Sequence, residues 1–301
     1  MIVTMSIIDG KKIADGILNK LKTQRSPESF LAAVLVGNPS TGSGQASASF
    51  IKQKEKTAKE LGVDFRVCNF PADINESSLR DEVSKISRDV NCSGVLVQLP
   101  LPEHINKHYV LNAIPREKDV DVLGEEALGT FYEGRNPILP PSVGTLSEIL
   151  SAVNFTLSSA KVAVVGLGFL VGKPISVWLE GNPEKSQSDL GARCKELFLL
   201  DKGSDFLILR EADLVITGVG SAGMIKSDML KVEATVIDFG YDSSTTLTTS
   251  NGRGDFDSSS IQHSAFSINN LTYTPTPGGT GPILVAKLLE NFYILSKNFS
   301  S

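Results

Sequence analysis

Short apolar runs, each closed by a glycine, proline or acidic turn residue and followed by helical periodicity, leave few folds open to this chain. Leu31–Val36 reads LAAVLV and stops at Gly37-Asn38-Pro39. Val63–Cys68 and Gly94–Leu99 follow, the latter closed by Pro100. Between them, Gly10–Thr23 carries Ile13, Ile17 and Leu21 on one helical face. Ser47–Leu61 ends at Gly62, a helix-stopping residue, and Ser77–Ile86 starts after Asn75. Such strands separated by helices predict a parallel α/β sheet. Near residue 140 the rhythm restarts. Asn136-Pro137 and Pro140-Pro141 break the chain, and Val143–Val153 reads as a helix. Lys161–Val165, Glu196–Leu200, Leu214–Thr217 and Thr235–Asp238 read as strands, and Pro282–Leu295 as a closing helix. A length of 301 residues fits two domains. The polar stretches Gly181–Gly191, Asp242–Asn251 and Asp257–Ser264 are expected to be exposed loops.

Charge and cysteine usage exclude several functions. Lys+Arg is 29 against Asp+Glu 34, a net charge of -5, which gives no support to a nucleic-acid binder. Cys68, Cys92 and Cys194 form neither a CxxC pair nor a zinc-ligand spacing, so reduced thiols in a cytoplasmic protein, and no metal, are expected. No apolar run approaches a membrane span, and MIVTMSIIDG lacks the pattern of a signal peptide.

The strand KVAVV runs into Gly166-Leu167-Gly168-Phe169-Leu170-Val171-Gly172. Glycines at such a turn let the backbone approach a phosphate, and the next helix offers its first amides to the anion. The spacing G-x-G-x-x-x-G is weak evidence alone, since a strand-to-helix turn without a ligand can look the same. The second strand, ELFLL, ends in Asp201. An acidic residue there accepts hydrogen bonds from an adenosine ribose and repels a 2′-phosphate, although Asp-Lys-Gly is also good turn chemistry. Thr217, Gly218 and Gly220, at the end of the next strand, are counted with the same dinucleotide site.

In the first half, Ser47, Phe50 and Lys54 share one helix face, from which Lys52 and Lys56 are rotated away. A helix lysine is most often simply solvated. Gln98 places a polar side chain at the end of an apolar strand, where α/β enzymes form ligand crevices. Lys118-Asp119-Val120-Asp121 carries two carboxylates. An extended stretch would point both the same way, and an ordinary charged loop is the plainer alternative.

GVLVQLPLP, then PREKDVD, then the glycine turn before VGKP, and PTPGGTGP near the end resemble, in order and over nearly the whole chain, the bifunctional methylenetetrahydrofolate dehydrogenase/methenyltetrahydrofolate cyclohydrolase family. The resemblance implies two α/β domains with a cleft between them, the C-terminal one Rossmann-like. Residues 1–140 would form the catalytic, folate-binding domain, rejoined by helix 282–301, and 141–281 the NAD(P)-binding domain. It implies oxidation of 5,10-methylenetetrahydrofolate, hydrolysis of the methenyl product, a folate substrate, NAD or NADP as cofactor, and a homodimer. Lys54 matches the family's catalytic lysine, Gln98 its hydrogen-bonding glutamine and Asp121 the carboxylate that holds the pterin. Ser47, Phe50, Leu99, Pro100, Gly278, Gly279, Gly281 and Pro282 fall on the substrate-lining positions. Gly166, Leu167, Gly168, Val171 and Gly172 fall on the dinucleotide turn.

There are departures. Phe50 stands for a tyrosine, Val122 for the glycine after Asp121, and Pro140-Pro141-Ser142-Val143 for Pro-Cys-Thr-Pro. Leu167 stands for the arginine of NADP-using members, and Asp201-Lys202 for their His-Ser pair. The lost arginine and gained aspartate favour NAD. Another NAD-dependent oxidoreductase on this fold, or a non-catalytic binding homologue, remains an alternative.

Overall fold

A computed structural model describes residues 6–37, 43–181, 193–241, 254–263 and 271–297, omitting the side chains of 43–49 and 262–263. The polar stretches 182–192 and 242–253 therefore lie outside the described residues. Contacts divide the chain into two units. One takes the start of the chain through Ala14 and Ser142–Leu284; the other takes Asp15–Pro141 and the chain from Val285 onward.

The chain begins with β1 (Ser6–Ile7) and α1 (Gly10–Lys22), then β2 (Phe30–Val36), α2 (Ser43–Glu60), β3 (Phe65–Phe70), α3 (Glu76–Arg88) and β4 (Cys92–Val97). The second unit's sheet has parallel order β3-β2-β4, as strands joined by helices require. β2 is buried along nearly its whole length, with Leu31, Ala32, Ala33 and Val34 all at 0% exposure, the signature of a strand covered on both faces. β3 starts two residues later than the sequence suggests. The Val63 amide bonds to the Ala58 carbonyl (2.9 Å) and still belongs to the helix stop. Asn75 caps α3 by accepting the Ser78 amide (2.8 Å).

Two short helices, α4 (Lys107–Leu111) and α5 (Glu125–Tyr132), follow, then α6 (Pro141–Ala152), β5 (Lys161–Val165), α7 (Gly172–Glu180), β6 (Glu196–Leu200), β7 (Leu214–Thr217), β8 (Ile225–Lys226), β9 (Thr235–Asp238), β10 (Phe256–Asp257), β11 (Thr272–Tyr273) and α8 (Thr280–Ser296). The first unit's sheet has the parallel order β1-β11-β9-β7-β5-β6. Residues 1–140 were expected in one domain, but β1 is an outer strand of this other sheet. The Ser6 amide bonds to the Leu271 carbonyl (3.0 Å) and the Ile8 amide to that of Tyr273 (2.8 Å). The stretch from Asp257 is not an exposed loop over its described part. Phe256–Asp257 pairs with Ile225–Lys226, and a 3-10 turn follows at Ser258–His263, half-buried from Ser258 to Ile261.

α8 ends in the second unit. The Asn291 amide donates to the carbonyls of Val120 and Leu139 (both 2.9 Å), and the Tyr293 hydroxyl to that of Leu61 (3.2 Å). Among the described residues no helix is long and apolar enough to cross a membrane, and no cluster of metal-ligating side chains occurs. All three cysteines are free thiols.

Candidate active site

The second unit gathers its polar groups at the carboxyl end of β4, where a parallel sheet turns its strands toward loops. Gln98 follows the last strand residue, and its amide still bonds to the Val34 carbonyl (2.9 Å), which holds its Cα in register. Its side chain is committed at both ends. Nε2 donates to the Leu99 carbonyl (2.9 Å), and Oε1 accepts from Lys54 Nζ (3.1 Å). Leu99 is half-buried, Pro100 exposed, and the peptide between them is cis.

Lys54 is half-buried on α2, whereas Lys52, Lys56 and Lys59 are exposed. Its pKa is lowered by burial, against the opposing charge of Asp121. Burial in turn raises the Asp121 carboxyl, against Lys54. An amine, an amide oxygen and a carboxylate thus form one electrostatic group. Phe50 is half-buried on the same helix; Ser47 lies on it too, with a side chain outside the described set.

The two carboxylates of the 118–121 stretch do not point the same way, because the stretch is not extended. Arg116–Lys118 is a 3-10 turn, Asp119 bridges to Val95, and the chain turns again at Val120–Asp121. Asp119 faces the backbone, where Oδ2 accepts the amides of Leu123 (2.9 Å) and Gly124 (2.7 Å) ahead of α5. Burial pushes its carboxyl up to about 7, and the charge of Asp121 adds to the rise. Lys118 is buried as well, with Nζ donating to the carbonyls of Ser87 (2.7 Å) and Asp89 (3.1 Å) at the end of α3. Of the charged loop, only Asp121 faces Lys54. Val122, where the family has glycine, sits at φ 56°, in the left-handed region.

In the first unit, β5 runs through the glycine turn into α7. Gly166 has φ 84°, and a Cβ on Gly172 would stand 1.9 Å from the Gly166 carbonyl oxygen. A Cβ on Gly168 would meet nothing within 4 Å. The turn is therefore closed on its helix side and open at Gly168, a cradle that fits a dinucleotide phosphate at the start of α7. Val171 is half-buried and Leu167 brings no cation to the turn.

Asp201 ends β6 and is exposed, not buried; its Oδ1 accepts the Lys202 amide (2.9 Å). Thr217 is fully buried and gives its hydroxyl to Asp255 (2.7 Å); Gly218 and Gly220 follow it on the loop. Gly278, with φ 100°, and Gly279 lie on the loop before α8, while Gly281 and Pro282 lie in its first turn, in the unit that carries the glycine turn. Asp238 and Asp255, both buried, were missed by sequence reasoning. The sequence offered a signal for one of them only, Asp238 at the end of the apolar run TVID; Asp255 stands in the polar stretch GDFDSSS.

Residues 8–121 match the family of tetrahydrofolate dehydrogenase/cyclohydrolase catalytic domains, and residues 140–299 match the NAD(P)-binding domain of the same enzymes. The bifunctional protein FolD of Flavobacterium johnsoniae is 31% identical, over 97% of this chain and 98% of that protein. Among solved structures, the silkworm (Bombyx mori) 5,10-methylenetetrahydrofolate dehydrogenase superposes with a TM-score of 0.84 at 28% identity, covering 99% of both chains. The Trypanosoma brucei N5,N10-methylenetetrahydrofolate dehydrogenase-cyclohydrolase, solved with NADP and an inhibitor, gives 0.82 at 25% identity over 99% of both. With both domain matches in order along one chain, and Lys54, Gln98 and Asp121 in one group, this protein belongs to the tetrahydrofolate dehydrogenase/cyclohydrolase family.

Proposed function

We propose that the chain oxidises 5,10-methylenetetrahydrofolate to 5,10-methenyltetrahydrofolate with NAD as its preferred dinucleotide, and hydrolyses the methenyl product to 10-formyltetrahydrofolate. The observation that carries this reading is the half-buried Lys54 amine on the Gln98 amide oxygen, within the field of Asp121. The bound dinucleotide supplies a hydride acceptor, so oxidation asks only placement of this chain's residues. Hydrolysis asks for proton handling. Water adds to the cationic methenyl carbon and gives one proton to Lys54 Nζ, leaving a hydroxyl on that carbon. The bond from the carbon to N5 then breaks, its electron pair going to N5, which takes the proton back from Nζ, while the hydroxyl proton leaves to solvent as the formyl C=O forms. Burial lowers the pKa of the amine, a shift toward the neutral form that a proton acceptor must take. Gln98 holds the amine without adding charge, and Asp121 accepts hydrogen bonds from the pterin.

The preference for NAD rests on Leu167 at the turn and Asp201 at the tip of β6. With Oδ1 on the Lys202 amide, the other oxygen is left for ribose hydroxyls. A 2′-phosphate there meets repulsion of about 1–2 kcal/mol in a solvated setting, or about tenfold in kcat/KM. Comparing kcat/KM for NAD and NADP, in the wild type and in Asp201→Ser, tests this. Equal or better use of NADP by the wild type refutes it. A homodimer belongs to the same reading. β6 is an outer strand of its sheet with Leu199 42% exposed, and a monomer mass by light scattering would remove that part.

A further inference from the structure

We propose that Asp255 is the positioning residue of the dinucleotide site: its buried carboxylate templates the loop Thr217–Ser221 and, through that loop, the glycine turn at 166–172. The inference rests on the dinucleotide reading above and concerns a residue that touches no ligand in it. Asp255 is 0% exposed. Its Oδ2 accepts the Thr217 hydroxyl (2.7 Å) and the Val219 amide (2.7 Å), and its Oδ1 accepts the Ser221 amide (2.7 Å). Alternate residues of the loop are thus held by one carboxylate, although Val219 is 45% exposed and Ser221 is exposed. A loop after a strand has no ladder to fix it; here a side chain takes the ladder's place.

The two loops then lock together. A Cβ on Gly166 would stand 2.7 Å from Val219 Cγ2, and a Cβ on Gly218 would stand 2.8 Å from Val171 Cγ1. Each loop sets a valine against a glycine of the other, so a shift of Val219 moves the turn that cradles the phosphate. The carboxylate itself is held from behind. A Cβ on Gly240 would come within 2.2 Å of the Asp255 carboxyl carbon, so that backbone presses directly on it. Asp238 anchors the Gly240 amide (2.7 Å) and the Phe256 amide (3.0 Å) on either side. The Asp238 backbone is tied to the loop before α8 at Thr274 and to the first residue of α8, Thr280. Its amide donates to the Thr274 hydroxyl (2.8 Å), and its carbonyl accepts that of Thr280 (2.9 Å).

Asparagine is the informative substitution. Two amide donors need an acceptor on each side of the group, and a carboxamide has one acceptor and one donor end. Either Val219 or Ser221 then faces an N–H. For Asp255→Asn the Kd for NAD by calorimetry should rise about tenfold, with KM following it, while kcat changes less than about twofold. The melting curve, read by Trp178 fluorescence, should keep its midpoint within a few degrees. An unchanged Kd overturns the proposal. So does loss of binding together with the folded melting transition, which would make Asp255 a fold residue only.

Amide exchange of the dinucleotide-free wild type gives a second reading that needs no variant. Val219 and Ser221 should exchange at least about a hundredfold slower than free peptide, despite their exposure. Free-peptide rates would overturn the proposal too. A wild type that binds neither NAD nor NADP would overturn the dinucleotide reading itself and this inference with it, an outcome distinct from equal binding by the two proteins.

Discussion

Asp119→Asn separates a structural acceptor from a charge. The wild-type carboxyl lies 1% exposed, with the Leu123 and Gly124 amides both on one oxygen, Oδ2. Asparagine keeps that oxygen and cannot ionise. The native carboxyl is pushed up to about 7 from 3.8 by burial, with the charge of Asp121 adding to it. Between those values the folded chain holds a proton that the unfolded chain has released. Stability therefore falls as pH rises through this window and is flat above it. About three pKa units correspond to about 4 kcal/mol, and about 2 kcal/mol of it falls between pH 5 and pH 7. Replacing the other oxygen by an NH2 costs about 1–3 kcal/mol if that group finds no partner, an offset that carries no titration of its own. The slope against pH is thus the clean observable. Trp178, the chain's one tryptophan, lies in the other unit and serves as an internal control. Amide exchange of peptides covering 116–132, corrected for intrinsic rates, reads the unit that holds Asp119. The wild type should lose protection from pH 5 to pH 7 by about fiftyfold, and Asp119→Asn should lose much less. Equal slopes in the two proteins would refute the assignment of a buried, proton-binding Asp119.

At Val122, whose φ is 56°, the usual order of small residues should invert. Val122→Gly should be more stable than Val122→Ala by about 1 kcal/mol in urea unfolding, because both lose the same buried methyls while glycine alone is relaxed there. Lys118→Met should destabilise the second unit by about 2–3 kcal/mol by removing a charged donor from two carbonyls at the end of α3, measured by the same unfolding. Lys54→Met should reduce methenyl hydrolysis to the uncatalysed rate while NAD reduction persists in part. In the wild type, hydrolysis should fall as pH drops through a lysine pKa below the ordinary value, since the neutral amine is the form that acts; a flat profile contradicts that role. Phe50→Tyr should raise the hydrolysis rate by restoring a hydroxyl to that helix face.

Much of this architecture was legible because it is local. The strand that ends at Gln98 and the turn from Val165 to Gly172 are contiguous stretches whose apolar runs and glycines declare themselves. The helical repeat places Lys54 on one face with Ser47 and Phe50, but it is the resemblance to the family that makes that face, rather than Lys52, Lys56 or Lys59, the catalytic one. What was not legible depends on distance along the chain or on a turn inside a short segment. β1 is two residues long and finds its partner at Thr272–Tyr273, so no periodicity could mark it. Asp119 and Asp121 look equivalent in an alternating pattern. A 3-10 turn sends one to the backbone and leaves the other facing Lys54. Asp255 reads as one acidic residue among several near a polar stretch. Its meaning lies in bonds to Thr217, Val219 and Ser221, more than thirty residues earlier. Asp201 was recognised at a strand tip, yet only the structure shows it solvated, which lowers the selectivity to be expected of it.

The path of the chain bears on the order in which the protein is made. β1, among the first described residues, pairs with β11, more than two hundred and sixty residues later, and α8 ends in the unit built mainly from Asp15–Pro141. On a ribosome the nascent chain exposes that early unit's sheet long before Asn291 and Tyr293 emerge to bond Val120, Leu139 and Leu61. Neither unit can reach its final fold until β11 and α8 have emerged. For the same reason no single cut in the gene yields either half intact. A transplant of the dinucleotide unit into another protein must carry three elements: the first strand, the central block, and the opening turn of the last helix.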